Sequence, residues 1–140
     1  PMSREEIQAR RDAMRAALAA KEEAQALVDL AALADAEEEH GYDTVRSLPF
    51  RGFVEGLPTL AVVRRPTGLE YKRYMQVIRT AKTDLAKSDA QLLLGETCLV
   101  YPPKGELRTR MLEVRGGCLV VAGTSAARMA EAEDEEEKKG

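Results

Sequence analysis

The sequence predicts an α+β fold, mostly α: a long N-terminal helical arm, then a small helical domain with a two- or three-stranded β element. Three observations point there. Residues 3–40 contain neither Gly nor Pro, so nothing in that stretch interrupts a helix. Thr59-Leu60-Ala61-Val62-Val63, ended by Arg64-Arg65-Pro66, reads as a short strand. Much of the remaining apolar content is Ala, Leu and Val, with four Tyr, two Phe and no Trp, and Ala is the strongest helix former.

A chain of 140 residues makes one domain, or one small domain with an extension. The composition divides it into three parts. Residues 1–40 form an amphipathic helical arm with 5 basic and 10 acidic groups, residues 41–130 a small α+β body with 14 basic and 8 acidic, and residues 131–140 an acidic tail with 2 basic and 6 acidic. Arm, body and tail therefore carry −5, +6 and −4, and they can attract one another within a chain or between copies. The tail has no apolar residue after Ala132 and is expected to be solvated or disordered.

The arm begins at a capping signature, Ser3 followed by Glu6, and ends before Gly41, which suits the position just past a helix end. A helix over 4–39 is about 54 Å long, against a radius of gyration near 13 Å for a body of about 100 residues. It must project or lie along a neighbour. Ala13, Ala17, Ala20, Ala24, Leu27, Ala31 and Ala34 alternate steps of four and three, the spacing of a helix–helix seam. Met14, Leu18 and Val28 widen it on one side and Leu30 on the other. Small side chains let two helix axes approach toward about 8 Å. We expect Ala13, Ala17, Ala20, Ala24, Leu27, Val28, Ala31 and Ala34 to contact another helix, from a second copy or a different subunit. The competing reading is a plain Ala-rich helix docked on its own domain.

Residues 41–58, punctuated by Gly41, Pro49, Gly52, Gly56 and Pro58, read as a loop or irregular hairpin, with 50–55 the nearest pairing candidate for the strand. Thr67 and Glu70 form a second capping box, opening a helix to about residue 86. Ser88 and Gln91 form a third, opening a short helix that Gly95 ends or bends. Pro102-Pro103 stops any helix. Glu106–Arg115 suits another, closed by Gly116-Gly117. The run Cys118–Gly123 is strand or buried helix, with Thr124 or Ser125 capping a last turn through Met129. Tyr71, Tyr74, Ile78, Leu92 and Tyr101 are the expected core.

The search for chemistry returns absences. His40 is the single histidine, placed at a helix end where a partly positive ring suits the dipole. No Gly-x-Ser-x-Gly elbow, Walker-type loop or Gly-x-Gly-x-x-Gly motif occurs. Carboxylate clusters such as Glu37–Glu39 lie on a solvated helix face. Two cysteines and one histidine fall short of the usual four-ligand set for zinc. A disulfide between Cys98 and Cys118 is possible, but without a secretory marker two buried free thiols are the better reading. No enzyme activity, metal or cofactor is expected, and no apolar run reaches the roughly 18 residues of a membrane span.

A basic strip gives the alternative function. Arg64, Arg65, Lys72, Arg79 and Lys82 with Tyr71 and Tyr74 nearby suit contact with phosphates or with an acidic partner. Whole-chain acidity argues for the wet side of an amphipathic helix instead.

Val62-Val63-Arg64-Arg65-Pro66-Thr67-Gly68-Leu69-Glu70-Tyr71-Lys72-Arg73-Tyr74, followed about 25 residues later by Cys98-Leu99-Val100-Tyr101-Pro102, resembles small proteins encoded among the tail genes of tailed bacteriophages, some of them called tail assembly chaperones. The resemblance covers residues 60–105. It implies a protein that shields sticky surfaces of tail or capsid subunits before assembly, or stays as a minor virion component. That places it in the host cytoplasm during assembly, or in the virion. Pro1-Met2 fits either removal of an initiator Met or a cloning scar.

Overall fold

A computed structural model describes residues 1–139, the side chains of 134, 138 and 139 excepted. The fold is α+β and mostly α. In chain order it comprises α1 (Arg4–His40), a 3₁₀ turn (Tyr42–Thr44), β1 (Val45–Pro49), β2 (Leu60–Arg64), α2 (Gly68–Thr80), α3 (Asp84–Cys98), β3 (Leu99–Tyr101), α4 (Glu106–Val114) and α5 (Cys118–Lys139).

The expected arm is a single 37-residue helix. Ser3 starts it by accepting a bond from the Glu6 amide at 3.1 Å. Gly41, at φ 98°, ends it while its N–H bonds the Glu37 carbonyl, a backbone position that disfavours a side chain.

The three strands form one antiparallel sheet in the order β1-β2-β3. The partner of β2 is not 50–55 but 45–49, with Val45 opposite Arg64 and Pro49 opposite Leu60. The Phe50 amide donates to the Thr59 carbonyl at 2.9 Å just beyond the ladder, and the connection between the strands turns at Gly52 and Gly56, both at positive φ. β2 is covered on both faces, which explains its unbroken apolar run. Leu60 and Val62 pack with Val45 and Ala36 under α1. Ala61 and Val63 face the main core with Leu94, Cys98, Leu99, Met111, Ala122 and Ala126. The layers are thus α1, sheet, and the helical group led by α3 and α5.

Several sequence expectations are corrected. α2 stops at Thr80 instead of residue 86, and Thr83 caps a new helix by accepting from the Ala86 amide at 3.1 Å. Ser88 therefore sits inside α3 rather than opening it. Gly95 does not end that helix, which runs on to Cys98. Cys118–Gly123 is helical, and Thr124 caps nothing: its hydroxyl donates to the Val120 carbonyl within α5. The backbone of 131–139, expected to be solvated or disordered, continues α5, with residues 131, 132 and 135–137 exposed, while Gly140 lies outside the described residues. Of the expected core, Leu92 is exposed and Tyr71, Tyr74, Ile78 and Tyr101 are half-buried. Met111, Val62, Val63 and Cys98 are fully buried in their place. Small residues let α3 and α5 close on each other, so the centre has little room for rings.

Buried polar contacts hold the elements in register. Arg108 of α4 donates to the carbonyls of Leu99 and Pro102, both at 2.8 Å. Arg115 lies over the Phe50 ring and donates to Arg51 and Gly52, pinning the 50–56 loop. Cys98 and Cys118 are free buried thiols.

Candidate protein-binding surfaces

Helix α1 has two different sides. The inner side runs along Gln25, Ala26, Asp29, Ala32, Leu33, Ala36, Glu37 and His40, the positions of the docked half that are wholly or partly shielded. Asp29 anchors it. Its carboxylate is completely buried and accepts from the Thr59 amide and hydroxyl, each at 2.6 Å. The Tyr101 hydroxyl donates to it at 2.5 Å and the Gln25 amide at 2.9 Å. Four donors satisfy this buried carboxylate, as burial of a polar group demands. Burial, together with that carboxylate, raises the Tyr101 pKa well above the ordinary tyrosine range, so Tyr101 stays a donor at neutral pH.

The outer side carries every residue expected at the seam. Ala13, Ala17, Ala20, Ala24, Leu27, Val28, Ala31 and Ala34 are all exposed. At 3.6 residues per turn this row lies roughly opposite the Asp29 side, so the body does not cover it. Leu27 is 64% exposed, Val28 59% and Leu30 53%. Leu18, which the sequence placed beside the seam, falls on the line of the inner stripe instead. It is exposed, as is every residue from 1 to 24. Lys21 is the first α1 residue with a hydrogen bond into the body among those described, to Glu55 at 2.6 Å.

A second apolar surface was not visible in the sequence. α2 and α3 diverge from the break at 81–83 and leave a groove of about 520 Å³ between them. Tyr74, Val77, Ala86, Ala90, Leu93 and Leu94 line it, with Arg73 and Asp89 at its rim. Reading 68–86 as one helix hid it. Thr83, a good N-cap residue one position before Asp84, was the available signal.

The basic strip is not one surface. Arg64 is held by both oxygens of Glu70, at 2.8 and 3.0 Å, and reaches the Thr97 carbonyl at 3.2 Å. Arg65 pairs with Glu133 at 3.2 Å, a contact between the basic body and the acidic C-terminal segment. Lys72 and Arg79 are exposed on α2, and Lys82 lies beyond its end. The Arg64 guanidinium brings the Glu70 carboxyl down to about 2. Arg64 thereby links the end of β2 both to the Thr67–Glu70 capping box and to the C-terminal turn of α3.

No family model matches the chain, and no curated protein or solved structure matches it either. Among the described residues there is no group of three or more His, Cys, Asp or Glu placed to hold a metal ion. No described helix is long and apolar enough to cross a membrane.

Proposed function

We propose that this chain is a non-enzymatic, protein-binding component of phage-like tail assembly, serving as an assembly chaperone or a minor virion structural protein. The observation that supports protein binding most is the outer face of α1. Leu27 and Val28 stand exposed on a helix whose opposite side is docked through Asp29. Burial of one such side chain against a partner contributes about 1.5–3 kcal/mol, and the seam spacing suits a helix as that partner. The tail-assembly element rests on the resemblance of residues 62–74 and 98–102, which are neighbours through the β2–β3 pairing of Val62 with Tyr101 and Val63 with Leu99.

A photo-reactive phenylalanine analogue at Leu27 tests this in cells that produce the particle. Adducts with tail or capsid subunits are expected. Adducts confined to proteins outside the particle would overturn the assembly reading. The nucleic-acid reading gains nothing from these contacts, because Arg64 and Arg65 are already paired within the chain.

A further inference from the structure

We propose that the free edge of β1, with the groove between it and α5, takes an extended acidic segment of a partner protein as a fourth strand. The groove lies on the opposite side of the sheet from α1, so it stands independently of the reading that the outer face of that helix binds protein.

The ladder fixes which backbone groups are free. β1 is an edge strand, since the sheet order is β1-β2-β3. The Arg65 amide donates to the Thr44 carbonyl at 2.7 Å, and the Phe50 amide to the Thr59 carbonyl at 2.9 Å. With the register unbroken between them, Arg46 and Leu48 are the residues whose backbone bonds β2. Antiparallel alternation then turns the amide and carbonyl of Ser47 and the carbonyl of Pro49 outward. No described strand pairs with them, and Arg46, Ser47 and Pro49 are exposed. A strand laid along this edge supplies the missing partners, the mode by which extended peptides join sheets.

The same alternation aims the side chains. Arg46 and Leu48, opposite Val63 and Ala61, point to the α5 side. Helix α5 packs against β2 through Ala122 and Ala126, and a groove of about 500 Å³ opens between it and the outer strand. The helical wall of the groove is Val121, Ser125 and Arg128, one position back from the buried Ala122, Ala126 and Met129. Past Leu48 and Val121 it continues into a second hollow of about 260 Å³, bordered by Arg51 and Arg115. From Arg46 to Phe50 the strand covers about 13 Å at about 3.3 Å per residue, room for about five residues of extended chain.

Charge names the occupant. Arg46 and Arg128 line the first hollow, Arg51 and Arg115 the second, and no acidic residue lines either. The first acidic residue of α5, Glu131, lies beyond both. Arg115 is engaged with loop carbonyls, but Arg46 and Arg128 have no hydrogen bond or ion pair among the described residues. A partner strand is thus read at two positions on one face. A carboxylate level with Arg46 sits between Arg46 and Arg128, and an aliphatic side chain two residues away sits level with Leu48 over Val121. A second copy is a poor occupant, because a charge such as Arg46 and a proline such as Pro49 are what natural edges carry against pairing with themselves. Nucleic-acid phosphates share the negative charge but gain nothing from the Ser47 carbonyl or the aliphatic floor.

A displayed library of random nine-residue peptides, selected on the full chain, supplies the probe. Recovered peptides should carry an acidic and an aliphatic residue two positions apart. A synthetic peptide of the most enriched sequence should raise hydrogen-exchange protection of the Ser47 amide about tenfold or more at saturation. The Leu48 amide, already bonded to β2, should not change. Arg46→Gln with Arg128→Gln should weaken binding about tenfold and leave the fold intact, since both side chains are exposed. N-methylation of alternate peptide amides leaves the protein untouched: one alternate set should abolish binding and the other preserve it. Recovery of no peptide, binding that leaves Ser47 unprotected, or indifference to the arginine pair overturns the proposal. So does protection of Ser47 by self-association without peptide, or single-stranded DNA that competes with the peptide and matches its affinity.

Discussion

Gly95 of α3 and Gly123 of α5 meet where the two helices cross in backbone contact. A Cβ built on Gly95 would lie 1.9 Å from the Leu119 carbonyl oxygen and 2.9 Å from the Gly123 nitrogen. One built on Gly123 would lie 1.9 Å from the Gln91 carbonyl oxygen. Each glycine costs about 1 kcal/mol of helix propensity relative to Ala, and each is required because backbone cannot swing aside as a side chain can. Gly95→Ala and Gly123→Ala should therefore destabilise the chain, by about 1–3 kcal/mol for the overpacking. Gly68→Ala, with nothing within 4 Å of the added methyl, should instead stabilise by about 0.4–1 kcal/mol. Urea titration of the three variants checks the opposite signs.

Asp29 ties α1 to the sheet through Thr59 and Tyr101. Asp29→Ala leaves a buried amide and two hydroxyls without their acceptor, at about 1–3 kcal/mol for such a loss. The expected result is local: amides of residues 25–40 and that of Thr59 lose hydrogen-exchange protection, while those of α3 and α5 keep theirs. Uniform loss across the chain would show that α1 docking and core folding are a single event.

Acid stability should depend on Glu70. Its carboxyl titrates at about 2 in the folded chain, chiefly through the hydrogen bond from Arg64, against about 4.3 for an unperturbed glutamate. A depressed carboxylate stabilises the fold above the unfolded value and loses that contribution as pH falls toward 2. The side chain is about a quarter exposed, so after allowance for screening the contribution is about 1–2 kcal/mol. Glu70→Gln should flatten the stability curve between about pH 5 and pH 2. A wild-type curve already flat over that range would remove the pair from the account.

The two thiols should be silent in the native protein. Burial pushes Cys98 up to about 11 and raises Cys118 as well, so neither access nor thiolate is available at pH 8. A colorimetric disulfide reagent should titrate no thiol on mixing and two after denaturation. Fast native labelling at either position would mean that the α3–α5 layer opens readily.

Much of the local structure was legible because its causes are local. Ser3, the absence of Gly and Pro to residue 40, and Gly41 mark α1 without any tertiary information. The Thr67–Glu70 box likewise marks the start of α2. The errors have one physical origin. Glycine inside a helix has the same local preference whether it ends the helix or lets another pack on it, so Gly95 read as a terminus and Gly123 as the end of an ambiguous run. Only the α3–α5 crossing distinguishes the two cases. The break at 81–83 was missed for a related reason: apolar spacing continued through it, and a cap at Thr83 competes weakly with an unbroken pattern.

What the sequence determined by itself was the length of α1 and the row of residues along it, since helical period and terminal signals lie within neighbouring residues. What the tertiary structure decided was which side of that helix the body takes. The face is chosen by a buried carboxylate with four donors, drawn from residues 25, 59 and 101. Such a site exists only after distant segments are brought together. Its position on the inner side is what leaves Leu27 and Val28 exposed.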